Sequence, residues 1–140
     1  MVPTNTKLSS GDIMPIVGLG TWKSKPGEVS AAVKRALEIG YRHLDCAFAY
    51  DNEHEVGQGI KDAMKEYNIA RHDIWVTSKL WNVFHHPEEV EAACRKSLKD
   101  LGLEYLNLYL IHWPTAFKRG EGNLPKNDDG SIKVVLAVYD

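Results

Sequence analysis

Cysteine is scarce in this chain: Cys46 and Cys94 are the two in 140 residues. Two are too few for a disulfide framework, and Cys94 falls on the apolar face of an expected helix, so both are read as buried thiols of a reducing compartment. A pairing or redox role is the alternative. Charge of one sign is also missing, since 17 basic residues face 19 acidic ones for a net charge of −2. That balance gives no reason to expect nucleic acid or an anionic membrane as partner. No uninterrupted apolar stretch is long enough to span a bilayer, and Met1 to Gly11 lacks the apolar core of a signal peptide, which makes a cytoplasmic location the expectation. The segment Gly18-Leu19-Gly20-Thr21-Trp22-Lys23 lacks the third glycine of a dinucleotide-binding turn. His85 and His86 are adjacent, so they cannot share one helical face, and Pro87 puts them in a loop. No metal site is expected from them.

What remains is ordinary globular composition, 44% apolar and 26% charged, with helices separated by short apolar runs. Lys7-Leu8 and Ile13-Met14 flank Ser9-Ser10-Gly11-Asp12, which supplies turn chemistry for a small hairpin. Ile16 to Leu19 reads as a buried strand. Pro26 suits a first helical position, Val29, Val33 and Leu37 recur at helical spacing, and Gly40 can end that helix in the left-handed conformation. Arg42 to Cys46 is the next strand. Asn52 with Glu55 predicts a capping box, followed by a helical face of Val56, Ile60, Ala63, Met64 and Tyr67. Ile74 to Leu80 is a strand again. Pro87, Glu88 and Glu89 open a helix whose buried face is Val90, Ala93, Cys94, Ser97, Leu98 and Leu101, stopped by Gly102. Leu106 to Ile111 makes a fourth strand.

Strictly alternating strands and helices imply a parallel sheet with right-handed crossovers. Lys79 follows Asp45 by 34 residues, and His112 follows Lys79 by 33. Equal steps between strand ends are what a ring of repeated βα units gives, with the working groups gathered where the strands finish. Side-chain alternation supports this. If Asp45 points into a barrel, Leu44 and Cys46 point out to the helices; if Lys79 points in, Thr77 and Trp75 go with it; His112 places Leu108 and Leu110 on the inner face.

Asp45, Tyr50, Lys79 and His112 together suit carbonyl reduction. An ammonium beside a phenol stabilises the phenolate and makes the hydroxyl a better proton donor, so Tyr50 is the candidate acid, with Lys79 beside it and Asp45 holding the ammonium. His112 can donate a hydrogen bond to the carbonyl oxygen while a nicotinamide delivers hydride to the carbon. Taken singly, each has a plainer role: an ion pair for Asp45, helix-entry packing for Tyr50, a satisfied core position for His112. Trp22, Trp81 and Trp113 follow three strand ends and would make an apolar bowl, or simply pack in the core. Lys79 as a Schiff-base nucleophile is the competing chemistry.

Gly18-Leu19-Gly20-Thr21-Trp22, Tyr41-Arg42-His43-Leu44-Asp45-Cys46-Ala47 with Tyr50, Thr77-Ser78-Lys79-Leu80-Trp81-Asn82 and Leu108-Tyr109-Leu110-Ile111-His112-Trp113-Pro114 resemble the aldo-keto reductase family, the aldehyde reductase type most closely. The resemblance runs from about Lys7 to about Lys133. It implies an α/β fold, the N-terminal half of a (β/α)8 TIM barrel preceded by a β-hairpin. It implies a catalytic tetrad of Asp45, Tyr50, Lys79 and His112, with substrate lined by Trp22, Tyr50, Trp81, His112 and Trp113. Thr21, Trp22 and Asp45 would approach NADPH, the cofactor of the family, and small-molecule aldehydes or ketones would be reduced to alcohols.

A closed barrel of eight units needs about 250 residues, so about four units are expected here. In the resembled family the second half supplies the nicotinamide-stacking residue and most contacts to the adenosine phosphate. The family would continue past Lys133 into a polar stretch and a helix, whereas this sequence reads Val134-Val135-Leu136-Ala137-Val138-Tyr139-Asp140. Residues 1–133 are therefore expected to be a partial barrel domain and 134–140 a divergent apolar tail. Half a barrel leaves two sheet edges unpaired, which predicts poor stability alone or self-association, with the tail adding a strand at an open edge. An inactive fragment acting only by association is the alternative to an enzyme.

Overall fold

The computed structural model describes residues 4–135. It opens with a hairpin of β1 (Asn5–Lys7) and β2 (Ile13–Pro15), paired antiparallel with Thr6 opposite Met14. Gly11 sits at φ +97°, and the Ser10 hydroxyl donates to Asp12 across 2.7 Å, the turn chemistry expected of that segment. Four parallel strands follow in sequence order: β3 (Leu19–Gly20), β4 (His43–Asp45), β5 (Trp75–Leu80) and β6 (Leu108–Ile111). Between them run α1 (Val29–Glu38), α2 (Glu53–Tyr67) and α3 (Pro87–Leu101). Neighbouring strands in chain order, joined by helices, are the arrangement of consecutive βα units.

The core lies between the sheet and the helices. Leu44 and Cys46 on β4 and just after it, and Val76 on β5, are fully buried against Val29, Val33 and Leu37 of α1 and Val56, Ile60 and Ala63 of α2. These outward positions are the ones that alternation assigns to the helix side. Two glycines set the distance of α2 from its neighbours. A Cβ on Gly57 would meet the Leu101 carbonyl oxygen at 2.1 Å, and one on Gly59 would meet the Ser30 carbonyl oxygen at 2.5 Å. Backbone-to-backbone approach this close requires the missing side chain.

Beneath the inner face, a chain of hydrogen bonds closes the floor. Trp75 Nε1 donates to Thr77 Oγ1 (3.2 Å), Thr77 Oγ1 bonds His43 Nε2 (3.0 Å), and His43 Nδ1 bonds the Pro15 carbonyl (2.9 Å). A carbonyl only accepts, so Nδ1–H is assigned as the donor to Pro15, which leaves Nε2 to accept from the Thr77 hydroxyl. Gly18 makes room, since a Cβ there would lie 2.9 Å from His43 Cγ. The hairpin is thereby tied to the inner layer of the sheet.

Several local expectations are corrected. Ile16 and Val17 are 49% and 65% exposed, and the strand begins only at Leu19, because Pro15 and Gly18 on either side take the contact with His43 while these two side chains face out. Pro26 lies in a turn; Gly27 at φ +84° delays the helix to Val29. The Asn52 and Glu55 capping box does not form. Asn52 Nδ2 donates to the Thr21 carbonyl (2.8 Å) and Glu55 accepts from the Gly27 amide (2.8 Å), so both side chains serve the neighbouring loop. Cys94 is half-buried, while Cys46 is fully buried and its thiol is pushed up by burial.

After β6 the chain makes a two-stranded ladder of β7 (Ala116–Phe117) and β8 (Val134–Val135). Val134 and Val135 thus pair with their own loop and not with an open sheet edge; the rest of the expected tail, residues 136–140, lies outside the described residues. The loop between them is held by Glu121, which bridges Lys118 and Lys133 and is pulled down to about 2 by those two lysines. Arg119 ties it to Glu88 at the start of α3 (2.9 Å). Among the described residues no helix is long and apolar enough to cross a membrane, and no group of three His, Cys, Asp or Glu residues is gathered as metal ligands would be.

Candidate active site

All four residues singled out for chemistry stand at the ends of the parallel strands. Asp45 is the last residue of β4, Lys79 the next to last of β5, and His112 directly follows β6. Tyr50 ends a short 3₁₀ turn, Phe48–Tyr50, that leaves β4. The register aligns Lys79 with Leu110 and Thr77 with both Asp45 and Leu108, so these positions share the inner face.

Lys79 is the hub. Its Nζ donates to Asp45 Oδ1 (2.8 Å), to the Cys46 carbonyl (2.8 Å) and to Tyr50 Oη (3.1 Å). Three acceptors use all three N–H directions of an ammonium and leave no lone pair aimed at a carbonyl carbon, which disfavours the Schiff-base alternative. The lysine side chain is 13% exposed, whereas that of Asp45 is 40% exposed, so the pair is buried at its cationic end and open at the mouth. The Cys46 carbonyl as a third partner was not legible in the sequence, because any residue type can supply it.

His112 stands edge-on to Tyr50, ring centroids 5.5 Å apart, and edge-on to Trp81 at 5.1 Å. Trp113 lies nearly parallel to it at 6.3 Å. Burial lowers the affinity of His112 for a second proton, and the Lys79 charge lowers it further against a smaller opposing effect of Asp45. The imidazole is therefore neutral at neutral pH. Its Nδ1 is buried without a partner among the described residues.

The tryptophans form an open rim. Trp22, 64% exposed, stacks on Tyr50 at 6.2 Å, and Lys23 Nζ lies over its ring at 4.5 Å; Trp113 is 58% exposed. Trp81 is fixed by its indole N–H, which donates to the Asn123 carbonyl (2.7 Å), and by Phe117 at 5.6 Å. Asn82 adds a bond to the Thr115 carbonyl (2.7 Å). Trp22 flanks Tyr50 and the other two flank His112, giving an apolar surround with two polar tips at its centre.

Thr21 sits differently from the rim. It is fully buried, its hydroxyl and its amide both donate to the Asp45 carbonyl (3.0 and 3.1 Å), and its own carbonyl accepts from Asn52. Its donors are spent on holding the end of β4. Glu53 was not singled out by sequence reasoning: it is 3% exposed and its Oε1 accepts from Ser78 Oγ at 2.6 Å on the opposite face of β5. One acid in the first turn of a helix is ordinarily accounted for by the helix dipole, so its residue type alone does not mark it. The signal that could have found it is Ser78, an outward polar residue in an otherwise apolar outer row.

Comparison with known proteins places the chain by family and fold. The model of the Aldo/keto reductase family matches residues 16–119. Aldo-keto reductase family 1 member A1 of Cricetulus griseus is 58% identical over 127 residues, 90% of this chain and 39% of that protein. Its counterpart from Homo sapiens is 59% identical over 126 residues, 89% of this chain and 39% of that protein. The solved structure of the aldose reductase from Schistosoma japonicum overlays with a TM-score of 0.92 at 50% identity, covering 95% of this chain and 44% of that one. The chain spans about two fifths of the length of the curated relatives it matches, and its α/β architecture is the half-barrel expected from the strand spacing. With the family model matching most of its length and the fold in agreement, the chain belongs to the aldo/keto reductase family.

Proposed function

We propose that this site serves the NADPH-dependent reduction of an aldehyde or ketone to an alcohol, with Tyr50 as the general acid. The observation that carries this reading is the Lys79 ammonium within hydrogen-bond distance of the Tyr50 hydroxyl (3.1 Å), itself held by Asp45. As the oxyanion of the reduced carbonyl develops, Tyr50 gives up its proton and Lys79 stabilises the phenolate left behind. His112 is neutral and carries one proton. Placing it on Nε2 leaves the buried, unpartnered Nδ1 as an acceptor, the cheaper of the two to leave unsatisfied, and frees Nε2–H to orient the substrate oxygen.

NADPH would supply hydride to the carbonyl carbon. The mouth fits its nicotinamide end: Asp45 has an exposed carboxylate there and Trp22 an exposed ring, while Thr21 fixes the strand end between them. Small carbonyl compounds with aromatic or aliphatic bodies suit a rim of three tryptophans. A second reading, an inactive chain acting by self-association, is favoured by one observation. Leu110 and Ile111 on β6 are 41% and 59% exposed, and among the described residues no strand pairs with the outer edge of β6. Titration with NADPH while following tryptophan emission, together with NADPH oxidation on addition of an aldehyde, tests the proposal. Quenching with turnover is expected; neither signal, alongside a dimer by light scattering, would overturn it in favour of the second reading.

A further inference from the structure

We propose that Glu53 is a positioning residue for the Tyr50 and Lys79 pair, acting through its hydrogen bond to Ser78 on the reverse face of β5. The inference rests on the reading of Tyr50 as the acid. Two segments carry that pair: the turn ending at Tyr50 and the end of β5. They are joined twice. On the inner face Lys79 Nζ donates to Tyr50 Oη (3.1 Å); on the outer face Ser78 Oγ donates to Glu53 Oε1 (2.6 Å). Ser78 and Lys79 are adjacent, so strand alternation alone sends them to opposite faces. Glu53 follows Tyr50 by three residues, across Asp51, whose φ of +54° puts a left-handed bend between the turn and α2. Only Asp51 and Asn52 separate Tyr50 from α2, so the seat of α2 on β5 limits where the turn can place Tyr50.

Burying a carboxyl is costly, and nothing in packing alone calls for one here. Glu53 and Ser78 are 3% and 0% exposed, while Glu55, in the same first turn, already supplies an acid to the helix N-terminus. Burial drives the Glu53 carboxyl above its ordinary value against the relief offered by Ser78. Ser97 of α3, fully buried, also faces this carboxyl, near enough to lower it but outside hydrogen-bond geometry; Glu53 Oε2 has no partner among the described residues. Lys96 and Asp100 are the charged groups that act on it from α3, with opposite signs. The single short bond to β5 is what the burial secures.

The test uses the full 140-residue chain with labelled lysine and tyrosine. Lys79 Nζ lies 4.9 Å from the Tyr50 ring centroid, so its side-chain methylene protons give a nuclear Overhauser effect to the ring. Glu53→Ala and Ser78→Ala each remove the outer bond, whereas Glu53→Gln keeps an acceptor for the Ser78 hydroxyl. The effect is expected to fall at least about twofold in both alanine variants and to return in Glu53→Gln, while the Trp75 indole resonance, which reports the floor, stays in place. Where the chain turns over, kcat should fall at least about tenfold with KM within about twofold, in line with the sensitivity of catalysis to small misplacements. An unchanged Overhauser effect in the alanine variants overturns the inference, as does loss of the folded spectrum in both of them. If the effect responds as expected but wild type and variants alike fail to oxidise NADPH, the functional proposal fails and the positioning role stands.

Discussion

Gly57→Ala probes how the helix layer seats the site. A methyl at this position would lie 2.1 Å from the Leu101 carbonyl oxygen and 2.6 Å from its carbonyl carbon, both backbone atoms that cannot rotate away. Ordinary contact requires α2 and α3 to separate by about 1 Å, and overpacking of this kind costs about 1 to 3 kcal/mol or somewhat more. Against it stands the gain in helix propensity of alanine over glycine, about 1 kcal/mol. Because the obstruction is backbone on both sides, the steric cost wins, and a net loss of about 2 kcal/mol is expected. With a urea dependence of about 2 kcal/mol per molar, the unfolding midpoint falls by about 1 M. Urea titration followed by circular dichroism reads this directly. A midpoint unchanged or raised would refute the close crossing of α2 over the end of α3.

Two further outcomes are expected. Trp81→Phe removes the donor to the Asn123 carbonyl, a bond worth about 1 kcal/mol, so trypsin should cut the loop at Lys118, Arg119 or Lys126 about fivefold faster; equal cutting rates would show that the indole does not hold the loop. Glu53 gives a pH signature. Its folded carboxyl binds a proton more tightly than the unfolded one, so its contribution to stability is present below the ordinary value of 4.5 and is lost as pH rises through the elevated folded value. Glu53→Gln should therefore gain stability relative to the wild type as pH rises above the ordinary value of 4.5, and a difference constant with pH would contradict the burial of this carboxyl.

The repeated units were legible because helix and strand periods differ, and because Asp45, Lys79 and His112 recur at nearly equal steps. That Asp45, Lys79 and His112, with Tyr50 just beyond β4, would gather at one place was legible for the same reason, since strand ends in such repeats converge on one face. Other features were set by partners distant in sequence. Asn52 and Glu55 have the spacing of a capping box, yet each finds a loop partner, Thr21 and Gly27, that spacing along one helix does not reveal. Ile16 and Val17 are apolar yet exposed because their neighbours Pro15 and Gly18 make the contacts with His43, a partner far away in sequence. The tail valines pair with Ala116 and Phe117 across a long loop that doubles back at Asn127 to Ser131, so the partner strand lies far away in sequence. Glu53 escaped notice because its carboxyl points away from the mouth that the motifs describe.

Replacement of Tyr50 by phenylalanine tests the central claim most directly, with NADPH binding followed by tryptophan fluorescence and aldehyde reduction followed by NADPH oxidation. Loss of the hydroxyl should remove the acid and leave the ring stacked by Trp22, so reduction falls by a factor of about 100 or more while the dissociation constant for NADPH stays within about twofold. Equal weakening of binding and turnover, or turnover that survives the substitution, would contradict the account.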